Sequence, residues 1–230
     1  MTTTHDGQPV GPALDGWTAP PFPPREPMAG RLVKVIPLEP DAHAAPLFES
    51  LAGAPETLWT YMTFGPFTEV GQLAAVLRAM VETADWSPYV FEVDGRLLGF
   101  ASYLRIQPAD GVIEIGAIVL APALQRTTAA TEALFLMIDN VFDLGYRRCE
   151  WKCDDLNAPS REAAVRLGFT HEGTFRQATH YKGRNRDTAW YSITDREWPG
   201  LATAFREWLA PENFDETGKQ RRSLQQIREE

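Results

Sequence analysis

The run from Val112 to Leu120 (VIEIGAIVL) is almost wholly apolar and rich in β-branched residues, so it reads as a buried strand. Ala121-Pro122 stops it. The small, polar stretch Gln125-Arg126-Thr127-Thr128-Ala129-Ala130 then opens a helix in which Ala130, Leu134, Met137, Ile138 and Val141 fall on one face. The helix runs from Thr127 to about Leu144, and Gly145 stands where a C′ glycine belongs. A buried strand, a short loop and a long amphipathic helix in that order set a helix N-terminus at the strand's end. Its first N–H groups are unpaired and its dipole favours negative charge, so Gln125 to Ala130 is an anion site or, more plainly, an ordinary strand–helix connection.

The remaining elements set this unit in an α/β order. Residues 1–30 carry seven prolines and four charges and predict an irregular arm, loose or laid across the domain with Trp17 and Phe22 as anchors. A domain is expected over 31–210. Arg31 to Leu38 predicts a first strand, Asp41 to Leu51 a helix, and Thr68 caps another helix to about Ala84. Tyr89 to Val93 and Arg96 to Ile106 flank Asp94-Gly95, a type I′ hairpin. Cys149 to Cys153 predicts a strand with Cys149, Trp151 and Cys153 on one side and Arg148, Glu150 and Lys152 on the other. Asn157 caps a short helix that stops at Gly168. Thr170 to Tyr181 and Thr188 to Thr194 predict two more strands, joined by a turn at Lys182-Gly183-Arg184-Asn185. A helix with Trp198, Leu201, Phe205 and Leu209 follows, and the polar residues 211–230 predict an extension or tail.

Composition narrows the class. A chain of 230 residues with 44% hydrophobic residues can bury a substantial core. A net charge of −9 argues against non-specific nucleic-acid binding and suits basic acceptors. No apolar run is long enough for a membrane span, and the N-terminus lacks a signal-peptide pattern. Cys149 and Cys153 are too far apart along a strand to bridge or share a metal, and buried thiols fit a cytoplasmic protein. No metal-ligand spacing, Ser/His/Asp order or Walker loop is present.

Gln125 to Ala130 resembles the acetyl-CoA-binding motif of the GNAT superfamily of acetyltransferases, Q/R-x-x-G-x-G/A, with Thr128 at the middle glycine. Asn157-Ala158-Pro159-Ser160, then Arg166-Leu167-Gly168-Phe169, Phe169 to Arg176 and Lys182 to Asp187, resemble the branch of ribosomal-protein N-terminal alanine acetyltransferases. The resemblance spans roughly Leu32 to Trp198. It implies a mixed, twisted sheet of about seven strands with flanking helices, in which two parallel central strands, 112–120 and 147–153, splay apart. It further implies acetyl-CoA held by Ile118, Val119 and Leu120, by Gln125, Arg126, Thr127, Thr128, Ala129 and Ala130, and by Asn157 and Ser160. The acetyl carbonyl is expected at a backbone N–H near Val119.

The resemblance makes Ser160 the proton donor to the leaving thiolate. Asn157 either bonds the pantetheine arm or caps its helix. Glu114 is the one acid inside an apolar strand. It is either the base that takes the amine's proton and helps bind the acceptor, or a structural acid paired across the sheet. His171 and His180 are weaker bases. Trp59 and Tyr61, in the aromatic segment Glu56 to Phe67, are either core or the acceptor-site wall. The expected acceptor is a primary amine, foremost the α-amino group of a protein or peptide. A small-molecule amine and a catalytically idle acyl-CoA-binding domain are the alternatives, and a homodimer is left open.

Overall fold

A single eight-stranded sheet carries the chain, seen here in a computed structural model that describes residues 2–230. In chain order the elements are β1 (Thr2–Thr3), β2 (Pro9–Val10), β3 (Met28–Ala29), β4 (Lys34–Pro37), α1 (Pro40–Ser50), α2 (Val70–Glu82), β5 (Ser87–Val93), β6 (Arg96–Gln107) and β7 (Val112–Leu120). Then come α3 (Thr128–Asp143), β8 (Arg148–Asp154), α4 (Ala158–Arg166), β9 (Thr170–Tyr181), β10 (Arg184–Thr194), α5 (Trp198–Leu209) and α6 (Leu224–Arg228). The sheet order is β3-β4-β5-β6-β7-β8-β10-β9, while β1 and β2 form a separate ribbon. The strand count therefore exceeds the seven expected, because the arm contributes β3.

Every neighbouring pair in the large sheet is antiparallel except β7 and β8. Their parallel ladder pairs Val112 with Arg148, Ile113 with Cys149 and Glu114 with Glu150, and then stops. Beyond Glu114 the two strands part, as two splayed central strands require. Helix α3 is the crossover between them.

Local chemistry explains the element ends. Asp94 (φ 49) and Gly95 (φ 74) are both left-handed, the type I′ geometry that Asp-Gly favours. Thr127 caps α3, its Oγ1 accepting from the Ala130 N–H at 3.1 Å. At the other end Gly145 (φ 93) donates to Phe142 and Tyr146 to Val141, a Schellman close. Lys182 (φ 48) and Gly183 (φ 71) make a second two-residue turn, so β10 resumes at Arg184 opposite Tyr181 rather than at Thr188. Strand β4 is shorter than the expected 31–38 because the N–H groups of Arg31 and Leu32 are taken by the buried carboxylate of Glu132 on α3, at 2.9 and 2.6 Å.

The core lies on both faces of the sheet. One face packs Ile113, Ile115 and Trp151 against α3 and α5; the other packs Phe100 and Val119 against Leu47 of α1 and Leu73 and Leu77 of α2. The arm is laid along the domain. Pro20 and Pro23 are buried, Tyr146 and Tyr89 donate to the carbonyls of Pro21 and Pro24, and Arg147 lies over the ring of Trp17. Phe22 is 45% exposed and is not an anchor. Residues 211–230 fold back on α5, with Leu224 and Ile227 buried in the main core.

Candidate active site

The loop between β7 and α3 presents unpartnered backbone N–H groups at a helix N-terminus. Arg126 is left-handed (φ 62), which turns successive N–H groups to one side. Among the described residues the N–H groups of Arg126, Thr128 and Ala129 have no partner, while that of Ala130 is used by the Thr127 cap. Gln125 Nε2 donates to the Leu120 carbonyl at 2.9 Å and pins the loop to the strand end. Thr128 opens the helix, half-buried, and its hydroxyl has no partner among the described residues. These features fit a pyrophosphate: free N–H groups, a helix N-terminus and an exposed Arg126.

The gap between β7 and β8, which starts beyond Glu114, runs toward the same loop. Backbone direction there corrects one expectation. Ala121 N–H donates to Leu98 O, which makes Phe100 and Val119 the next hydrogen-bonded pair of the antiparallel ladder. The Val119 N–H is therefore spent on β6 and is not available to an acetyl carbonyl. The groups that face the gap belong to Ile118 and Leu120. The left-handed bulge at Ala117 (φ 51) produces this parity: Ile113 and Ile115 face the α3 side before it, Ile118 and Leu120 after it.

Helix α4 supplies the gap's other side. Asn157 Oδ1 accepts from the Ser160 N–H at 3.2 Å, so the capping role is real and the side-chain NH2 stays available. Trp151 Nε1 donates to Ser160 Oγ at 3.0 Å. That contact occupies one lone pair and leaves the hydroxyl proton free to be donated elsewhere.

Glu114 is buried and paired across the sheet. Its Oε2 accepts from Lys152 Nζ at 2.9 Å, and Arg105 Nε stands 3.8 Å from the same oxygen. Lys152 Nζ also lies 2.6 Å from Glu150 Oε2, an ion pair without hydrogen-bond alignment, and 3.7 Å from the centre of the Trp190 ring. Burial pushes the Glu114 carboxyl up from its ordinary value, and the Lys152 ammonium opposes that. Burial also acts on Glu150, but Lys152 and Arg148 outweigh it and hold that carboxyl low.

Trp59 is 4% exposed and packs edge-on to Phe67, with Phe64 alongside; it is core beneath the segment rather than an open wall. Tyr61 is half-exposed. Lys182, at the β9–β10 turn, donates to the Trp59 and Phe64 carbonyls and ties the hairpin to this segment. Nearby, Tyr181 donates to Asp154 Oδ2 at 2.7 Å, and its hydroxyl is pushed up to about 12, first by burial and then by Asp154. His171 and His180 both lie exposed on β9, His171 beside Tyr191. Among the described residues no three His, Cys, Asp or Glu side chains group as a metal site. Sequence reasoning did not find Lys182 or the Asp154–Tyr181 pair, whose members are far apart in the chain. Lys152 carried one signal, its alternation with Glu150 away from the core.

The acetyltransferase (GNAT) domain family matches residues 33–170, more than half of the chain. This chain belongs to the GNAT family. It is an N-acetyltransferase. A GCN5-related N-acetyltransferase from Brucella melitensis is 43% identical with a TM-score of 0.91, over 94% of this chain and 100% of that one. A GNAT-family protein of Chromobacterium violaceum is 42% identical with a TM-score of 0.80, over 83% and 97%. An uncharacterized N-acetyltransferase, p20 of Bacillus licheniformis, is 30% identical over 147 residues, 61% of this chain and 82% of that protein. The fold is also that of three more distant structures. The Salmonella typhimurium enzyme that modifies the N-terminal serine of ribosomal protein L7/L12 is 19% identical (TM-score 0.63, over 72% and 96%). The Microcin C7 self immunity acetyltransferase MccE, with acetyl-CoA and AMP, is 20% identical (0.64, 72% and 93%). Mycobacterium smegmatis RimJ, with CoA-disulfide, is 23% identical (0.62, 73% and 84%).

Proposed function

We propose that this N-acetyltransferase carries the acetyl group of acetyl-CoA to the α-amino group of a protein or peptide. The observation that supports it best is the free oxygen of Glu114. Oε2 is held by Lys152, while Oε1 has no hydrogen-bond partner among the described residues and stands over Gly116, at the start of the β7–β8 gap. A carboxylate oxygen turned to that point attracts an ammonium and can take its proton. The groove bounded by Glu56, Thr60, Pro66 and Lys182 opens to solvent, as an acceptor borne on a chain needs. The Salmonella fold relative acts on a protein N-terminus.

Acetyl-CoA supplies the activated acetyl thioester when bound. The chain does the rest. The N–H groups of Arg126, Thr128 and Ala129 hold phosphate. Ile118, Leu120 and the Asn157 amide line the gap for the amide-bearing arm. Glu114 Oε1 receives the amine's proton, and Ser160 Oγ gives one to the leaving sulfur. A small-molecule amine is the second reading, favoured by the fold shared with MccE.

An acceptor screen with free-thiol detection tests the assignment. Peptides starting with Ala or Ser should release CoA at least tenfold faster than polyamines, amino sugars or aminoacyl compounds. Preference for any small amine would reverse the two readings. CoA binding with no release on either set would mark an idle domain.

A further inference from the structure

Lys152 has no part in the reaction as assigned so far, yet it is the most deeply placed cation in the ionic array on this face of the sheet. Its side chain is 7% exposed. A lysine is seldom so buried unless its charge is matched. Here the matching runs strand by strand: Arg105 on β6, Glu114 on β7, then Lys152, Glu150 and Arg148 on β8, then Glu172 on β9. Cations and carboxylates alternate along it. The Cys149 thiol, on the opposite side of β8, is the other titratable group near Glu114.

The geometry at Glu114 is one-sided. Both cations address Oε2, and Lys152 is the nearer at 2.9 Å against 3.8 Å for Arg105. Arg105 is half-exposed and screened by solvent, whereas the Trp190 ring 3.7 Å from Nζ closes the Lys152 side to water. Oε1 is left over Gly116, where even a Cβ would approach it to 3.2 Å. Glu150, the second carboxylate on Lys152, keeps that ammonium fixed whatever the state of Glu114.

We propose that Lys152 is a positioning residue for acetyl transfer, holding Glu114 as a carboxylate with Oε1 turned toward the acceptor's ammonium. This rests on Glu114 being the base, as read above. In the step itself the ammonium N–H bond breaks, the Oε1–H bond forms, and the electron pair stays on the nitrogen, which then attacks. Lys152 remains an ammonium throughout. Without it, only the solvent-screened Arg105 would oppose burial at Glu114, and the carboxyl would keep its proton to higher pH.

The test uses the full chain, acetyl-CoA and a hexapeptide beginning with Ser. Two readouts are taken across pH: kcat/KM, and the carbon NMR titration of the Glu114 carboxyl, assigned by its loss in Glu114→Gln. In Lys152→Met the titration midpoint should rise by about 1–3 pH units, the range for a lost opposite charge at contact distance. The acid limb of kcat/KM should rise by the same amount, with rates recovering at high pH. Lys152→Arg should keep both near wild type. If Lys152→Met does not fold, Glu150→Gln/Lys152→Met, which removes one charge of each sign, should still shift the midpoint upward, but by less, because the Glu150 carboxylate it removes itself raises Glu114.

A midpoint unmoved in the folded variant overturns the proposal. So does a midpoint that moves while the acid limb stays. An acid limb that survives Glu114→Gln overturns the base assignment instead, and the NMR titration separates that result from a failure of Lys152 to act on Glu114.

Discussion

Lys182 Nζ donates to the backbone carbonyl of Trp59 at 2.8 Å, across 123 residues of sequence. A longer contact at 3.4 Å reaches the Phe64 carbonyl. The lysine sits in the left-handed turn between β9 and β10, and the carbonyls belong to the aromatic segment between α1 and α2. That segment is rigid in itself, with Trp59 and Phe67 at 5.1 Å and Phe64 stacked on Phe67 at 6.2 Å. One ammonium thus joins two elements far apart in the chain, and the groove is lined by both.

Replacing Lys182 by Met should therefore loosen the acceptor side alone. The lost charge-assisted hydrogen bond is worth roughly 1.5 kcal/mol. We expect the KM for an acceptor peptide to rise about tenfold, with the Kd for acetyl-CoA unchanged by calorimetry. An equal loss of acetyl-CoA affinity would mean that the hairpin supports the whole cleft.

The phosphate loop makes a separate prediction. Thr128 stands where the motif has glycine, and its own N–H group and those of Arg126 and Ala129 have no partner among the described residues. Acetyl-CoA at about 100 times its Kd should stabilise the wild type by ~2.7 kcal/mol. Thr128→Gly should keep this gain and Thr128→Glu should abolish it, since a carboxylate then occupies the phosphate position. Melting curves with and without acetyl-CoA decide it; a full shift in Thr128→Glu would place the phosphates elsewhere.

For Ser160 the relevant contact is the Trp151 indole 3.0 Å from its Oγ. With that lone pair occupied, the hydroxyl is oriented as a donor. Ser160→Ala should lower kcat by ~10²–10⁴-fold, the usual span for acid–base groups, and leave the Kd for acetyl-CoA within about twofold. An unchanged kcat would assign the proton to water or to Tyr181.

Local pattern made some of this legible. The bounds of β7 follow from its apolar run, the I′ turn at Asp94-Gly95 from left-handed preference, and the caps at Asn157 and Gly145 from their chemistry, whereas Thr68, expected to cap α2, does not: that helix starts at Val70 behind Glu69 with no side-chain cap. What stayed hidden depends on distance or on parity. Nothing near Arg31 announces that Glu132 will take its N–H and cut β4 short. The bulge at Ala117 reverses which backbone groups face the gap, so alternation counted from Glu114 misplaces Val119. The Glu114–Lys152 pair is set by the parallel register, which α3 decides only once it has packed. Lys182 reaches Trp59 because a two-residue turn lengthens the hairpin beyond the four-residue turn expected.

The outer end of the ionic array predicts how stability responds to acid. Glu172 receives both Arg148 terminal nitrogens, at 2.7 and 2.5 Å, and the Ser192 hydroxyl at 2.8 Å. The Arg148 hydrogen bonds hold its carboxyl below the ordinary 4.5, against the opposing effect of burial. A carboxylate depressed in the folded state stabilises the fold fully above its unfolded pKa. That contribution is lost as pH falls through the lower, folded value. Glu172 is more than a third exposed, so solvent screening keeps the effect under ~1 kcal/mol. For a chain of this size that is about 2–4 °C in Tm. Glu172→Gln should melt lower than wild type by up to this amount at pH 7. The gap should close below pH 4.5, the ordinary value, as the wild-type carboxyl protonates, and shrink in high salt. A gap that persists undiminished at low pH would assign the loss to packing around Ser192 rather than to charge.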